Sequence, residues 1–159
     1  MRITIIAVGK IKEKHYREAV AEYGKRLGKY CRLEVTEVED EKTPDGAAAA
    51  LEEQIKEKEA ERILRHVKAE AYVIALEIQG KKMDSEAFAN HLENLAVYGK
   101  SHIQFIIGGS LGLHKSVSKR ADELLSFSDM TFPHQLMRVI LAEQIYRAYR
   151  IMNGQPYHK

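Results

Sequence analysis

Short runs of apolar residues alternate along the chain with longer segments in which apolar positions recur every three or four residues. The short runs are typical of buried strands, and the longer segments are typical of helices that bury one face. The short runs predict strands over residues 2–8, 32–38, 72–78, 102–107 and 123–127. The periodic segments predict helices over residues 13–27, 47–68, 84–98, 115–122 and 135–153.

The predicted strands and helices follow one another in nearly strict alternation. Gly28 and Gly99 end two of the helices, and Pro44 and Gly46 mark a turn-rich loop. Alternation of this kind indicates an α/β fold in which a mostly parallel sheet is flanked by helices. No internal repeat and no compositional break divides the chain, so we expect residues 1–159 to form a single domain.

Composition narrows the class of protein. The chain is 45% hydrophobic and 30% charged, as in ordinary globular proteins. No uninterrupted apolar run reaches the roughly 18 residues of a membrane span, and the apolar N-terminal run is short for a signal peptide. The single cysteine, Cys31, excludes an internal disulfide and points to a reducing cytoplasm.

Charge and histidine content leave the choice of partner open. The net charge of +2 is too small to indicate a nucleic-acid partner by itself. The seven histidines have no spacing typical of metal ligands, so we predict no metal site. Basic residues do cluster, either as solvated helix faces or as contacts to RNA. The three clusters are Lys10, Lys12, Lys14 and Arg17; Lys25, Arg26, Lys29 and Arg32; and Lys115, Lys119 and Arg120.

Three predicted strand ends carry the candidate binding site, because ligands of open α/β sheets lie beyond the carboxyl ends of the strands. They are residues 76–80, 107–113 and 127–134. The second contains GGSLGL, whose glycines permit a sharp turn or a close approach to a ligand. This turn matches neither a phosphate-binding loop nor a dinucleotide fingerprint, and taken alone it is equally consistent with a tight connection.

The last predicted helix is apolar around most of its circumference. A helix of this kind is buried on more than one side. We expect its additional apolar face to contact a second copy of the chain in a homodimer, although burial within one chain is the alternative. Glu143 and Arg147, four residues apart, are placed to pair on its polar side.

The stretches GGSLGL and SDMTFPHQLMRVILAEQIYRAYRIMNGQPYHK resemble the ribosomal RNA large subunit methyltransferase H family of SPOUT enzymes. The N-terminal ITIIAVGK and the strand YVIALEIQGK extend the resemblance over essentially the whole chain. Ser110 departs from many relatives at its position, and we expect no effect on the backbone there.

The resemblance implies a SPOUT fold with a C-terminal trefoil knot and a homodimer that uses S-adenosylmethionine. The implied reaction is methylation of N3 of a pseudouridine in 23S ribosomal RNA of the large subunit, in assembled ribosomes. The residues implied to bind the cofactor are Leu76, Gly108, Phe127, Ser128, Asp129, Met130, Thr131 and Phe132. They fall on the three strand ends already identified.

Removal of the N3 proton calls for a general base or a donor that stabilises the resulting anion. Tyr157 and His158 in the C-terminal PYHK are the first candidates, because histidine titrates near neutral pH and tyrosine donates or stacks on a base. The alternative for these residues is a frayed, exposed terminus. Arg138 is a further candidate, for holding a phosphate or a uracil carbonyl.

Two other functions remain possible at this level. One is a SPOUT methyltransferase that acts on a different RNA, such as tRNA, although such enzymes usually carry a separate RNA-binding domain. The other is a ribosome-associated factor that has the fold but no catalytic activity.

Overall fold

Five strands and five helices alternate along the chain in the computed structural model, which describes residues 1–159. Every predicted strand and helix is present. Most of the observed boundaries lie within a few residues of the predicted ones. The elements are β1 (Arg2–Val8), α1 (Lys14–Leu27), β2 (Arg32–Val38), α2 (Ala49–Leu64), β3 (Tyr72–Lys82), α3 (Ser85–Val97), β4 (His102–Ile107), α4 (Lys115–Arg120), β5 (Glu123–Ser126) and α5 (His134–Met152).

The strands form one sheet in the order β2-β1-β4-β3-β5, and every neighbouring pair is parallel. This arrangement confirms the predicted α/β fold with a parallel sheet. Because all strands run in the same direction, their carboxyl ends lie along a single edge. That edge is where a parallel sheet usually binds its ligand.

Helices cover both faces of the sheet, as the nearly continuous apolar strands require. Along β1, Ile3, Ile5 and Ala7 pack in the same core cluster as residues of α1, α3 and α5. Ile6 and Val8 point to the opposite face and pack with residues of α2 and α4. The period-two alternation of the strand therefore supplies two separate cores.

The third strand is longer than predicted. We expected it to end at Ile78, with Gly80 as its boundary, but β3 continues to Lys82. Leu76 and Lys81 both pair with Leu125 of β5, so the residues between them form a bulge. An added Cβ on Gly80 would lie only 2.7 Å from the backbone of Leu124 and Leu125. Gly80 thus allows a close passage of two strands instead of ending one.

The last helix packs between α1 and α3 on one face of the sheet. Leu141, Ala142 and Ile145 are fully buried there, so part of its apolar surface is used within the chain. Other apolar residues of α5, such as Ile140 and Ile151, are only partly buried. None of the five helices is both long enough and apolar enough to cross a membrane.

Substitution of Phe105 by alanine tests the position of the main core. Phe105 is fully buried in β4, where its ring meets Phe88 edge-on. The cavity left by Phe105→Ala should lower the free energy of unfolding by about 3–5 kcal/mol. Val97→Ala is the control, because Val97 is 75% exposed and should change stability little. Equal denaturant midpoints for the two variants would contradict this account of the core.

Candidate functional site

A cleft of about 760 Å³ opens at the carboxyl edge of the sheet. The three strand ends chosen from the sequence meet in it, and the first turn of α5 closes one side. The lining residues are Leu76, Glu77, Ile78, Gln79, Ile107, Gly108, Gly109, Ser110, Leu111, Gly112, Leu113, Leu125, Phe127, Ser128, Met130, Thr131, Phe132, Pro133, His134 and Met137.

The glycine-rich segment after β4 forms a tight turn in the cleft wall. Gly112 donates its N–H to the carbonyl of Gly109 at 3.1 Å and has a φ of +85°, which favours glycine. A Cβ on Gly108 would lie 3.0 Å from the carbonyl carbon of Gly112 and from the side chain of Leu113. Gly108 therefore has no room for a side chain. Ser110 is exposed at the tip of the turn, where its side chain does not disturb this backbone.

The bulge in β3 supplies a second wall. It turns Glu77, Ile78 and Gln79 into the cleft, directly after Leu76. Glu77 is the only carboxylate among the lining residues, and the Ser118 hydroxyl donates to it at 2.9 Å. Bulges commonly redirect side chains beside binding sites. Glu77 falls within the predicted strand end 76–80 but was not named as a cofactor contact, and the bulge that turns it inward depends on pairing with a strand far along the chain.

The loop after β5 forms the third wall. Ser128 accepts a hydrogen bond from the N–H of Met130 at 3.0 Å, which fixes a local turn. Of the eight residues implied to bind the cofactor, all except Asp129 line the cleft. The Asp129 carboxylate pairs instead with Lys82 at 2.5 Å, on the exposed side of the loop.

The start of α5 adds two residues that were not named as cofactor contacts, although His134 is the last residue of the predicted strand end 127–134. His134 and Met137, one turn apart on the helix, both line the cleft. Burial, followed by the neighbouring charge of Arg138, lowers the pKa of His134, so its imidazole is neutral at neutral pH. No group of three or more His, Cys, Asp or Glu side chains is arranged to hold a metal ion.

Arg138 differs from its predicted role as a contact to substrate. Its side chain is fully buried and does not line the cleft. One guanidinium nitrogen pairs with Glu37 at 2.5 Å, and the other donates to the carbonyls of Val8 and Gly9 at 3.1 and 2.6 Å. A guanidinium with these partners does not reach RNA. We therefore assign Arg138 a positioning role that joins α5 to the end of β1.

The C-terminal tail folds back on α5. The Tyr157 hydroxyl donates to Glu143 at 3.1 Å, its ring meets Tyr146 edge-on, and Arg147 lies 4.7 Å above the ring centre. His158 accepts a hydrogen bond from Arg147 at 3.1 Å. Burial, followed by the Glu143 carboxylate, raises the pKa of Tyr157 to about 12. Tyr157 is therefore a protonated donor at neutral pH.

Within one chain the tail lies away from the cleft. Its partner Glu143 is roughly 14 Å along the helix axis from the cleft residue His134, since each residue rises about 1.5 Å. The tail is thus ordered against α5 and is not frayed. The structure brings the cofactor-site candidates together but does not bring Tyr157 and His158 to them.

The cleft fits the expected cofactor, S-adenosylmethionine. Its volume is in the range of small-molecule sites, and its lining combines apolar side chains with a few polar groups. Gly108 lets the turn after β4 close on Gly112 and Leu113, so that this turn forms part of the cleft wall. Leu76, Leu125 and Phe127 offer apolar surface to an adenine, and Glu77 offers a carboxylate to hydroxyl or ammonium groups.

Comparisons with known proteins agree with this assignment. The family model described as "Predicted SPOUT methyltransferase" matches residues 1–158. A "Ribosomal RNA large subunit methyltransferase H" of Bifidobacterium adolescentis is 63% identical over 100% of both chains. Proteins of the same name from Clostridium kluyveri and Clostridium beijerinckii are each 58% identical over 100% of both chains.

Solved structures share the fold at low sequence identity. A probable methyltransferase from Bordetella pertussis has a TM-score of 0.55 and 15% identity, with 92% of this chain and 95% of that chain covered. A probable methylase family protein from Haemophilus influenzae has a TM-score of 0.54 and 14% identity, with 99% and 70% covered. At these identities the likeness supports the fold alone.

Substitution of Gly108 tests the cleft as the cofactor site. Gly108→Val places a branched side chain where even a Cβ is crowded, so affinity for S-adenosylmethionine should fall about tenfold or more. Gly24→Ala is the control, because a Cβ there meets only Leu33 at an ordinary 3.9 Å. Titration calorimetry measures both variants, and melting temperatures verify folding. Unchanged affinity in folded Gly108→Val protein would place the cofactor elsewhere.

Proposed function

The chain belongs to the SPOUT methyltransferase family, and we propose that it methylates N3 of a pseudouridine in the 23S RNA of the large ribosomal subunit. That it is a methyltransferase of large-subunit ribosomal RNA which uses S-adenosylmethionine follows from family membership and from 63% identity over full length to a relative of that name. The single observation that carries the proposal at the level of the site is the cleft formed by three strand ends, which has the size and lining for the cofactor.

When bound, the cofactor supplies an electrophilic methyl group, and the task of the chain is to position it against the base nitrogen. Gly108 lets the turn in the cleft wall close on Gly112 and Leu113, and Glu77 is held by Ser118 to accept hydrogen bonds from the ligand. Met130 is 74% exposed at the cleft, where it can contact an incoming base. The neutral imidazole of His134 avoids placing a cation beside the sulfonium.

The tail supplies the polar groups that the methyl acceptor needs. Loss of the N3 proton leaves negative charge on the uracil ring and its carbonyl oxygens. The Tyr157 hydroxyl is the donor to that charge, and the imidazole of His158 is the group that takes the proton. Because both residues lie far from the cleft of their own chain, we propose that they act in the cleft of a partner subunit.

A homodimer provides that partner. Helix α5 packs against α1 and α3, and these contacts leave some of its apolar residues only partly buried, including Ile140 and Ile151. These residues are the surface that packs against a second copy. Glu86 lies 3.7 Å from the His158 ring, so the tail occupies the neighbourhood of the α3 N-terminus. A dimer formed through α5 would bring this region of one chain towards the cleft of the other.

Several further properties belong to the same proposal. Residues 1–159 form one methyltransferase domain whose C-terminal part is a trefoil knot. A target in assembled ribosomes places the protein in the cytoplasm, in agreement with the single free Cys31.

Nucleoside mass spectrometry tests the reaction. Large-subunit RNA from cells lacking this chain should lack one N3-methylated pseudouridine, which the wild-type gene should restore and the Gly108→Val gene should not. Incubation of assembled ribosomes with purified protein and labelled cofactor should restore it in vitro. Methyl transfer to tRNA alone would favour a different SPOUT substrate, and no transfer to any RNA would favour the non-catalytic factor.

Deletion of the tail tests the composite site. Protein that ends at Pro156 should lose methyl transfer while its affinity for S-adenosylmethionine stays within about twofold, because the cleft of each chain is intact.

Mixed dimers of this truncated chain with the Gly108→Val chain should regain activity, since one cleft and one tail then belong to the same site. Full activity of the truncated chain alone would exclude a catalytic role for Tyr157 and His158. Inactive mixed dimers would exclude action across subunits.

A further inference from the structure

We propose that the loop after β1, residues 10–14, is a preformed phosphate-binding element that holds the RNA backbone at the mouth of the cleft. We refer to it as the lysine loop, because Lys10, Lys12 and Lys14 alternate along it. The proposal rests on the proposed function, since it gives the contact surface for that RNA. The charge pattern alone left this group open between a solvated face and an RNA contact.

The lysine loop lies next to the cleft. β1 pairs directly with β4, so its carboxyl end is beside the Gly108 turn. The Cβ position of Gly9 is 3.7 Å from the Nε2 atom of His134, which lines the cleft. Lys10 is the next residue in the chain. An RNA strand that places a base in the cleft therefore passes within reach of the long lysine side chains.

The backbone of the lysine loop is fixed before any ligand binds. Ile11 is buried, and its N–H donates to Glu37 at 3.1 Å. Arg17, from the first turns of α1, donates to the carbonyls of Ile11 and Lys12 at 3.1 and 2.8 Å. The same Glu37 carboxylate pairs with the buried Arg138. Because the loop is already ordered, binding to it costs less conformational entropy.

The lysines of this loop are available, in contrast to several other basic residues. Lys10 and Lys12 are exposed and form no ion pair, and Lys14 has only a distant, exposed partner in Glu18 at 3.7 Å. In the other basic clusters, Arg26 pairs with Glu22. Arg120 donates to backbone carbonyls and pairs with Asp122. Those two arginines stabilise the fold, whereas the lysine loop has three lysines against one carboxylate of its own, Glu13. Lys115 and Lys119 are likewise exposed and without an ion pair, so the choice of the lysine loop rests on its hydrogen-bonded backbone and its position beside His134.

Charged and aromatic groups beside the lysine loop influence where an RNA phosphate binds. Asp40, in the acidic loop after β2, lies at the start of the lysine loop, with its Cβ 3.9 Å from the Cβ position of Gly9. Asp40 repels phosphate at that point, so the exposed lysine side chains are the groups that contact it. His15 is exposed and lies 4.2 Å from the ring of Tyr16, which offers an aromatic surface beside the cations. Lysines combined with aromatic rings are typical of surfaces that bind single-stranded nucleic acid.

A matched pair of triple variants tests the proposal. Lys10→Ala with Lys12→Ala and Lys14→Ala should weaken co-sedimentation with unmethylated assembled ribosomes about tenfold at moderate salt. The slope of log affinity against log salt should become shallower by up to about 1 per lysine removed. The control triple removes the same charge from exposed lysines away from the cleft, Lys58, Lys68 and Lys100, and should bind as wild type does. Calorimetry with S-adenosylmethionine should give unchanged affinity for both.

A single substitution separates charge from loop order. Arg17→Lys keeps the charge but lacks the planar guanidinium that reaches two carbonyls, so it should weaken ribosome binding about threefold. Binding equal to wild type would overturn the claim that the loop must be preformed. Equal losses in the two triple variants, or no loss in either, would overturn the lysine loop as the contact. Wild-type protein that sediments with ribosomes but transfers no methyl would contradict the proposed function, while the sedimentation result still decides the role of the loop.

Discussion

The buried guanidinium of Arg138 is the interaction on which the carboxyl edge of the sheet depends. The carbonyls of Val8 and Gly9 lie at the carboxyl end of β1, and Arg138 donates to both while it pairs with the partly exposed Glu37. Removing these partners would leave the buried guanidinium of Arg138 uncompensated, which is strongly destabilising. The first turn of α5 is thereby held against β1, and with it His134 and Met137 in the cleft wall.

The same contact organises the surface on the other side of β1. Glu37 receives both Arg138 and the N–H of Ile11, so the ion pair inside the protein also sets the course of the loop outside it. One fully buried side chain therefore connects the helix that closes the cofactor cleft with the loop that presents the lysines. A role of this kind explains why an arginine occupies a site where an apolar residue would pack at lower desolvation cost.

The elements that local patterns specify were predicted well, and those that depend on distant pairing were not. β1, β2 and β4 have the predicted bounds, because short apolar runs define β1 and β4 and the alternation of apolar with charged residues defines β2. The β3 bulge arises from pairing with β5, so the sequence of β3 alone gave no indication that Glu77 would turn into the cleft. Arg138 was interpreted as a substrate contact because an arginine beside a binding motif is usually exposed. Only the three-dimensional placement of Glu37, Val8 and Gly9 shows its partners.

Within residues 1–159, the proposed contacts with substrate come from segments of the same sheet-and-helix unit that forms the cleft. The cleft uses three strand ends, the tail extends along α5 away from it, and the lysine loop borders it on the remaining side. Each of these parts is a short segment that alone offers few contacts to substrate. In the proposed homodimer, their arrangement around one sheet edge, held by Arg138, would give an RNA strand charge, shape and a donor group at the same place. The constraint that limits such a design is geometric, because a displacement of about 1 Å in the positioning groups is enough to impair methyl transfer strongly.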